Sequence, residues 1–282
     1  MSYAVVRGNP YPSQIYLDGI LDEVLKEMNI RDSSKRDKVS LSQILYHCLK
    51  KNPDDVFMIN GSTGEVITKR QILKQAVSLA RTLIAKGARG KTLILVMRNH
   101  QYMVALYLAA MFAGTLPFNM DPSCTIFEIT HFLKIIEPCF VFCDQEHYND
   151  VSTSLKKITE LETMVLIQAF TAFSLSKFRV LAHGFRIPDS EPESTVLMLP
   201  TSGSTGLPKA ALMSNVGLVT QLPIPWAYHS TIPKPTGLVM ILTTLQWATF
   251  TMMVTSSLPT PICGLFYFSM FLGLLTVLSA LC

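Results

Sequence analysis

The sequence predicts an α/β protein, with βαβ layers around a parallel sheet. Three observations carry this reading. Short apolar runs recur at Thr92–Met97, Leu116–Asn119 and Cys139–Cys143, the pattern of strands covered on both faces. Segments of helical spacing separate them, at Tyr102–Ala113 and from Thr125 to about Ile136. Strand, helix, strand, helix, strand at this spacing means parallel pairing through crossover helices.

The elements follow in chain order. Residues 1–38 form an arm of mixed charge, in which Leu21, Val24, Leu25 and Met28 have helical spacing. Ser40 is placed to cap a helix running to about Lys51, with Leu41, Ile44, Leu45 and Cys48 on one face. Asn52-Pro53 breaks it. Phe57–Ile59 is expected as a strand, and Asn60–Gly64 as a hairpin turn before Val66-Ile67. A long helix is predicted from Thr68 to Lys86, with Ile72, Ala76, Leu79, Ala80 and Leu83 inward, closed by Gly87 and Gly90. Thr92–Met97 is the first buried strand, and Gly114 closes the apolar helix after it. Thr125 and Glu128 make a capping box for the next helix, which Pro138 ends. Met164–Ile167 and Thr195–Leu199 are further strands.

Composition bounds the function. The chain has 282 residues, of which only 16% are charged and 49% hydrophobic. A net charge of +4 without a dense Lys/Arg run excludes an evident nucleic-acid surface. Lys50-Lys51 and Lys156-Lys157 are expected as solvated surface. Six cysteines and six histidines show no metal or disulfide spacing, so no metal site is assigned and the thiols are expected in the core of a reduced, intracellular protein. The polar first 25 residues, interrupted by Pro10 and Pro12, do not form a secretory signal.

The chemistry concentrates in Thr201-Ser202-Gly203-Ser204-Thr205-Gly206-Leu207-Pro208-Lys209. Gly203 and Gly206 free the backbone to turn its N–H groups toward one point, and such a concave array binds anions. The hydroxyls of Ser202, Ser204 and Thr205 add donors, and Lys209 adds a mobile point charge suited to phosphate. The motif is not the nucleotide-triphosphatase loop, which needs Gly, four residues, then Gly-Lys-Ser/Thr. A flexible linker would need neither the Pro-Lys end nor the apolar strand in front.

This stretch resembles the signature of the adenylate-forming enzymes, Ser/Thr-Ser-Gly-Ser/Thr-Thr-Gly-x-Pro-Lys, at every fixed position. The family includes acyl-CoA synthetases, 4-coumarate–CoA ligases, beetle luciferases and peptide-synthetase adenylation domains. A second resemblance lies upstream, in Gly87-Ala-Arg-Gly90-Lys91, Asn99, Gly114-Thr115, Asn119-Met-Asp-Pro122 and Thr125-Ile-Phe-Glu128. The order and spacing of these motifs are similar to those of insect luciferase-like and 4-coumarate–CoA-ligase-like members, over most of residues 40–282. Ala210 stands where the family usually has Gly, and Asn215 where His is common.

The resemblance implies residues 39–282 as a partial AMP-binding N-terminal domain, with the C-terminal lysine domain absent. It implies ATP, Mg²⁺ and, as co-substrate, coenzyme A. The full enzymes convert a carboxylic acid to an acyl-adenylate and then to a thioester. Thr201, Ser202, Gly203, Ser204, Thr205, Gly206 and Lys209 would grip the β- and γ-phosphates. The family's magnesium-binding Glu and catalytic lysine have no counterpart in this sequence, so no catalytic residue is assigned and this chain alone is expected to be inactive. The alternative is a non-catalytic, membrane-associated or regulatory protein that keeps only the phosphate loop. Full-length relatives are cytoplasmic or peroxisomal; Ala280-Leu281-Cys282 is not a peroxisomal address.

Residues 235–282 contain no charged residue. Ile262–Cys282 is long enough to span a bilayer, and Gly237–Leu258 could be a second span. The competing reading, a strand and a buried helix of the family sheet, is favoured: Thr243, Thr244, Gln246, Thr249, Thr251 and Thr255 interrupt the first span, and each needs a partner in lipid.

Overall fold

The structure, a computed structural model, describes residues 21–30, 39–59, 64–97, 101–121, 123–158, 168–169, 184–188, 191–201 and 206–221. The sequence expectations for residues 60–63, Asn99, Pro122, Met164–Ile167, Ser202–Thr205 and the uncharged tail lie outside the described residues.

Three helices start on the same device. α1 (Leu41–Lys50), α2 (Lys69–Ala85) and α4 (Ile126–Ile136) are preceded by Ser40, Thr68 and Thr125. Each hydroxyl accepts from the backbone N–H three residues on. The side chain there, Gln43, Gln71 or Glu128, accepts from the cap residue's own N–H. Two orphan donors are satisfied per helix end, which fixes where each helix begins. α4 ends at Glu137 in the left-handed region, just before Pro138.

β1 (Val56–Ile59) and β2 (Val66–Thr68) make a small antiparallel ribbon that leads into α2. The buried Lys69 ammonium pairs with Asp55 at 3.0 Å, tying the ribbon to the helix start. Among the described residues the main sheet has six strands, in the order β6-β5-β3-β4-β7-β8. β3 (Thr92–Val96) lies between β4 (Leu116–Met120) and β5 (Phe140–Cys143), both parallel to it. β6 (Gln168–Ala169) extends the parallel side beyond β5, and β7 (Thr195–Thr201) pairs parallel with β4 through Phe118 and Met198. The sheet departs from pure parallel order at β8 (Lys209–Ser214), which runs antiparallel to β7.

Side-chain alternation along β3 splits the core in two. Leu93 and Leu95 join α1, α2 and α3 (Gln101–Ala113) on one face. Ile94 and Val96 join Phe118, Met120, Ile129, Phe132 and Leu133 on the other, where α4 packs. α3 is buried on every side: Met103 through Ala113 are all under 5% exposed, as an all-round apolar helix requires. Gly114, which ends it, has φ +70°, and a Cβ there would meet Arg89 and Pro188 at 3.6 Å. Leu21, Val24 and Leu25 of the helical stretch 21–27 belong to the same core. α5 (Tyr148–Lys156) follows β5; before it, the Asp144 carboxylate accepts from both the backbone N–H and Nδ1 of His147. α6 (Asn215–Gln221) follows β8. On the solvated surface expected for Lys50-Lys51, Lys51 bonds Glu27 at 2.8 Å and Lys50 lies over the Tyr46 ring.

Candidate functional site

All five parallel strands point the same way, so the loops after β3, β4, β5 and β7 leave from one edge of the sheet. Ligands of open α/β sheets bind at that carboxyl edge. The segment between β7 and β8 is there. Its two ends are adjacent: Thr201 is register partner of Lys209, and the Thr201 hydroxyl donates to the Lys209 carbonyl at 3.3 Å. A hairpin register therefore closes the neck of the segment.

The Lys209 side chain is exposed. Among the described residues, no carboxylate pairs with it. It borders an open groove of about 600 Å³ lined by His131, Ile135, Met198, Leu207 and Leu212 among others, with no acidic side chain. An unneutralised ammonium beside apolar walls attracts an anion more strongly than one in bulk water. His131 of α4 reaches across to the end of the loop: its Nε2 lies 3.0 Å from the Pro208 carbonyl oxygen.

Of the residues singled out by sequence, the structure pairs Thr201 with Lys209 at the neck, and Gly206 lines the groove beside Lys209. Ser202, Gly203, Ser204 and Thr205 lie outside the described residues. A Cβ at Gly206 would meet nothing within 4 Å among the described residues.

Sequence reasoning missed two residues that hold the site. One is His131, 77 positions from Pro208. The other is Asn215, 1% exposed, just after β8. Its Oδ1 accepts from Leu41 N–H and its Nδ2 donates to Val39 carbonyl, both at 2.8 Å. Asn215 thus locks the strand that begins at Lys209 to the start of α1. The apolar spacing of α1 gave no signal for this contact. The sequence marked Asn215 only as a departure from the His common in the family at that place.

Among the described residues, no group of three or more His, Cys, Asp or Glu could hold a metal ion. With no carboxylate lining the groove beside Lys209, these residues do not fit a magnesium site. Among the described residues, Cys48, Cys139 and Cys143 are buried and Cys124 is half-buried. Burial pushes Cys48 and Cys143 up to about 12, and Cys124 up to about 11. None has the thiolate character of a nucleophile. Among the described residues no helix is long and apolar enough to cross a membrane.

The model of the family described as AMP-binding enzyme matches residues 45–258. The chain belongs to this family. A sulfoacetate–CoA ligase of Cupriavidus necator is 24% identical over 169 residues, 59% of this chain and 33% of that protein. Among solved structures, the luciferase-like enzyme of the nonluminescent mealworm Zophobas morio superposes with a TM-score of 0.71 at 21% identity, covering 83% of this chain and 55% of that one. ATP-bound MatB of Rhodopseudomonas palustris superposes with a TM-score of 0.67 at 19% identity, covering 82% and 45%. These likenesses show a shared fold with a mainly parallel sheet. The chain spans about a third of the curated relative's length.

Proposed function

We propose that this chain carries the ATP-phosphate-binding half of an enzyme that activates a carboxylic acid for thioester formation. In this reading Thr201, Ser202, Gly203, Ser204, Thr205, Gly206 and Lys209 grip the β- and γ-phosphates of ATP. A carboxylate oxygen attacks the α-phosphorus, forming an acyl-adenylate and releasing pyrophosphate. The thiol of coenzyme A then attacks the acyl carbon, and AMP leaves. The part assigned to this chain is electrostatic. Donors and an ammonium placed where charge collects on the departing pyrophosphate lower the barrier to P–O cleavage.

One observation carries the reading: Lys209, free of any acidic partner among the described residues, is anchored beside Thr201 at the carboxyl edge of the sheet. Membership of the AMP-binding family and the acid–CoA ligase relative support it. The test is displacement of a fluorescent ATP analogue from the whole chain. Pyrophosphate should displace it at far lower concentration than AMP does. Equal potency of the two competitors would remove the phosphate assignment.

A further inference from the structure

We infer that His131 is a positioning residue that holds the Pro208–Lys209 peptide in place for phosphate. This rests on the phosphate-loop reading above and adds to it a residue outside the loop. The chemistry of the contact is one-sided. A carbonyl oxygen can only accept, so the His131 nitrogen facing Pro208 carries the proton. That fixes Nε2 as the donor, whether the ring is neutral or charged.

The peptide between Pro208 and Lys209 is held at its entry by His131, 3.0 Å from the Pro208 carbonyl. The next peptide, Lys209–Ala210, is held by the Thr201 hydroxyl on the Lys209 carbonyl. Proline supplies no N–H and a fixed φ, so its carbonyl is the one handle a neighbour can use there. With both carbonyls held, the Cα of Lys209 has little freedom, while its four-carbon stem stays free to follow a phosphate.

His131 is suited to this because its own base is rigid. It sits in the second turn of α4, whose start is fixed by the Thr125–Glu128 capping box. Its neighbours Phe132 and Leu133 are at most 1% exposed in the core against β3, β4 and β5. The His131 ring itself is half-buried and lies 5.7 Å from the Phe132 ring. A loop tied to such a helix loses less freedom when it binds an anion, and pre-organisation of this kind appears as affinity.

The test uses the whole chain as wild type, His131→Leu and His131→Gln. Leu removes the donor and keeps apolar bulk; Gln restores an N–H donor. Two readouts are taken: calorimetric titration with inorganic pyrophosphate, and amide hydrogen exchange of residues 206–211 without ligand. The Leu variant should bind pyrophosphate about threefold to tenfold more weakly, the size of one modest hydrogen bond. Its 206–211 amides should exchange faster while those of β3 and α3 are unchanged, and Gln should recover both readouts. Unchanged exchange in the Leu variant, or equal loss in Leu and Gln, would overturn the role of His131. If wild type binds no pyrophosphate, the phosphate-loop reading fails. The exchange readout then judges the loop anchor by itself, and faster exchange in Leu with recovery in Gln would keep it.

Discussion

Asn215→Ala should be far more damaging than its place after an edge strand suggests. The substitution removes both partners of two buried backbone groups, Leu41 N–H and Val39 carbonyl. Leu41 and Val39 are 2% and 3% exposed, so water does not replace the lost bonds freely. Each group left buried without a partner costs about 1–3 kcal/mol, giving a loss of about 2–6 kcal/mol for the two. That is a large share of the 5–15 kcal/mol typical of a domain. Urea unfolding followed by far-ultraviolet circular dichroism measures it. With a slope of about 1–3 kcal/mol per molar, the midpoint should fall by at least about 0.7 M. Asn215→Asp is the informative control: it keeps the acceptor for Leu41 but turns an oxygen toward the Val39 oxygen. It should also destabilise. A loss below about 0.5 kcal/mol for Asn215→Ala, the range of ordinary surface changes, would refute the reasoning.

Other outcomes follow from the same geometry. Phe118→Ala, at a residue 0% exposed whose ring centroid lies 4.9 Å from that of Phe132, should cost about 3–5 kcal/mol by the same urea assay, and a cost under 1 kcal/mol would contradict the packing. Thr125→Ala removes one side of the α4 capping box and should cost about 0.5–2 kcal/mol, read as a lower thermal midpoint. Burial raises the Cys48 thiol from its ordinary value of 9.0 to about 12. Its contribution is therefore complete below pH 9 and is lost as pH rises toward 12, where the unfolded chain has released a proton that the folded state keeps. Cys48→Ala should make the alkaline fall in urea midpoint shallower than in wild type; identical slopes would contradict the burial argument.

Local physics was legible wherever a signal repeats within a few residues. The helix starts at Ser40, Thr68 and Thr125 rest on hydroxyl and Gln/Glu side chains three apart, and the structure uses all three. The strand at Thr92–Val96 announces itself because burial on both faces leaves no polar position. β8 did not announce itself. Ala210-Ala211-Leu212-Met213 has no β-branched residue, and its exposure does not alternate as in a half-buried strand. Leu212 is 64% exposed on this edge, so the usual link between apolar pattern and burial is broken there. The contacts of His131 and Asn215 join positions 77 to 176 residues apart, and only tertiary packing brings them together. Lys209 is the last residue of the motif in the sequence. That it opens a strand paired with Thr201 could not be read, because the loop motif covered the residues that would have marked the turn.

The most direct measurement is calorimetric titration of ATP and AMP into the whole chain and into Lys209→Ala. A charged donor on phosphate contributes about 1.5–3 kcal/mol, so the substitution should weaken ATP by about tenfold to a hundredfold and leave AMP nearly unchanged. Equal affinity of wild type for ATP and AMP, or an ATP affinity untouched by Lys209→Ala, would contradict a phosphate loop ending at this lysine.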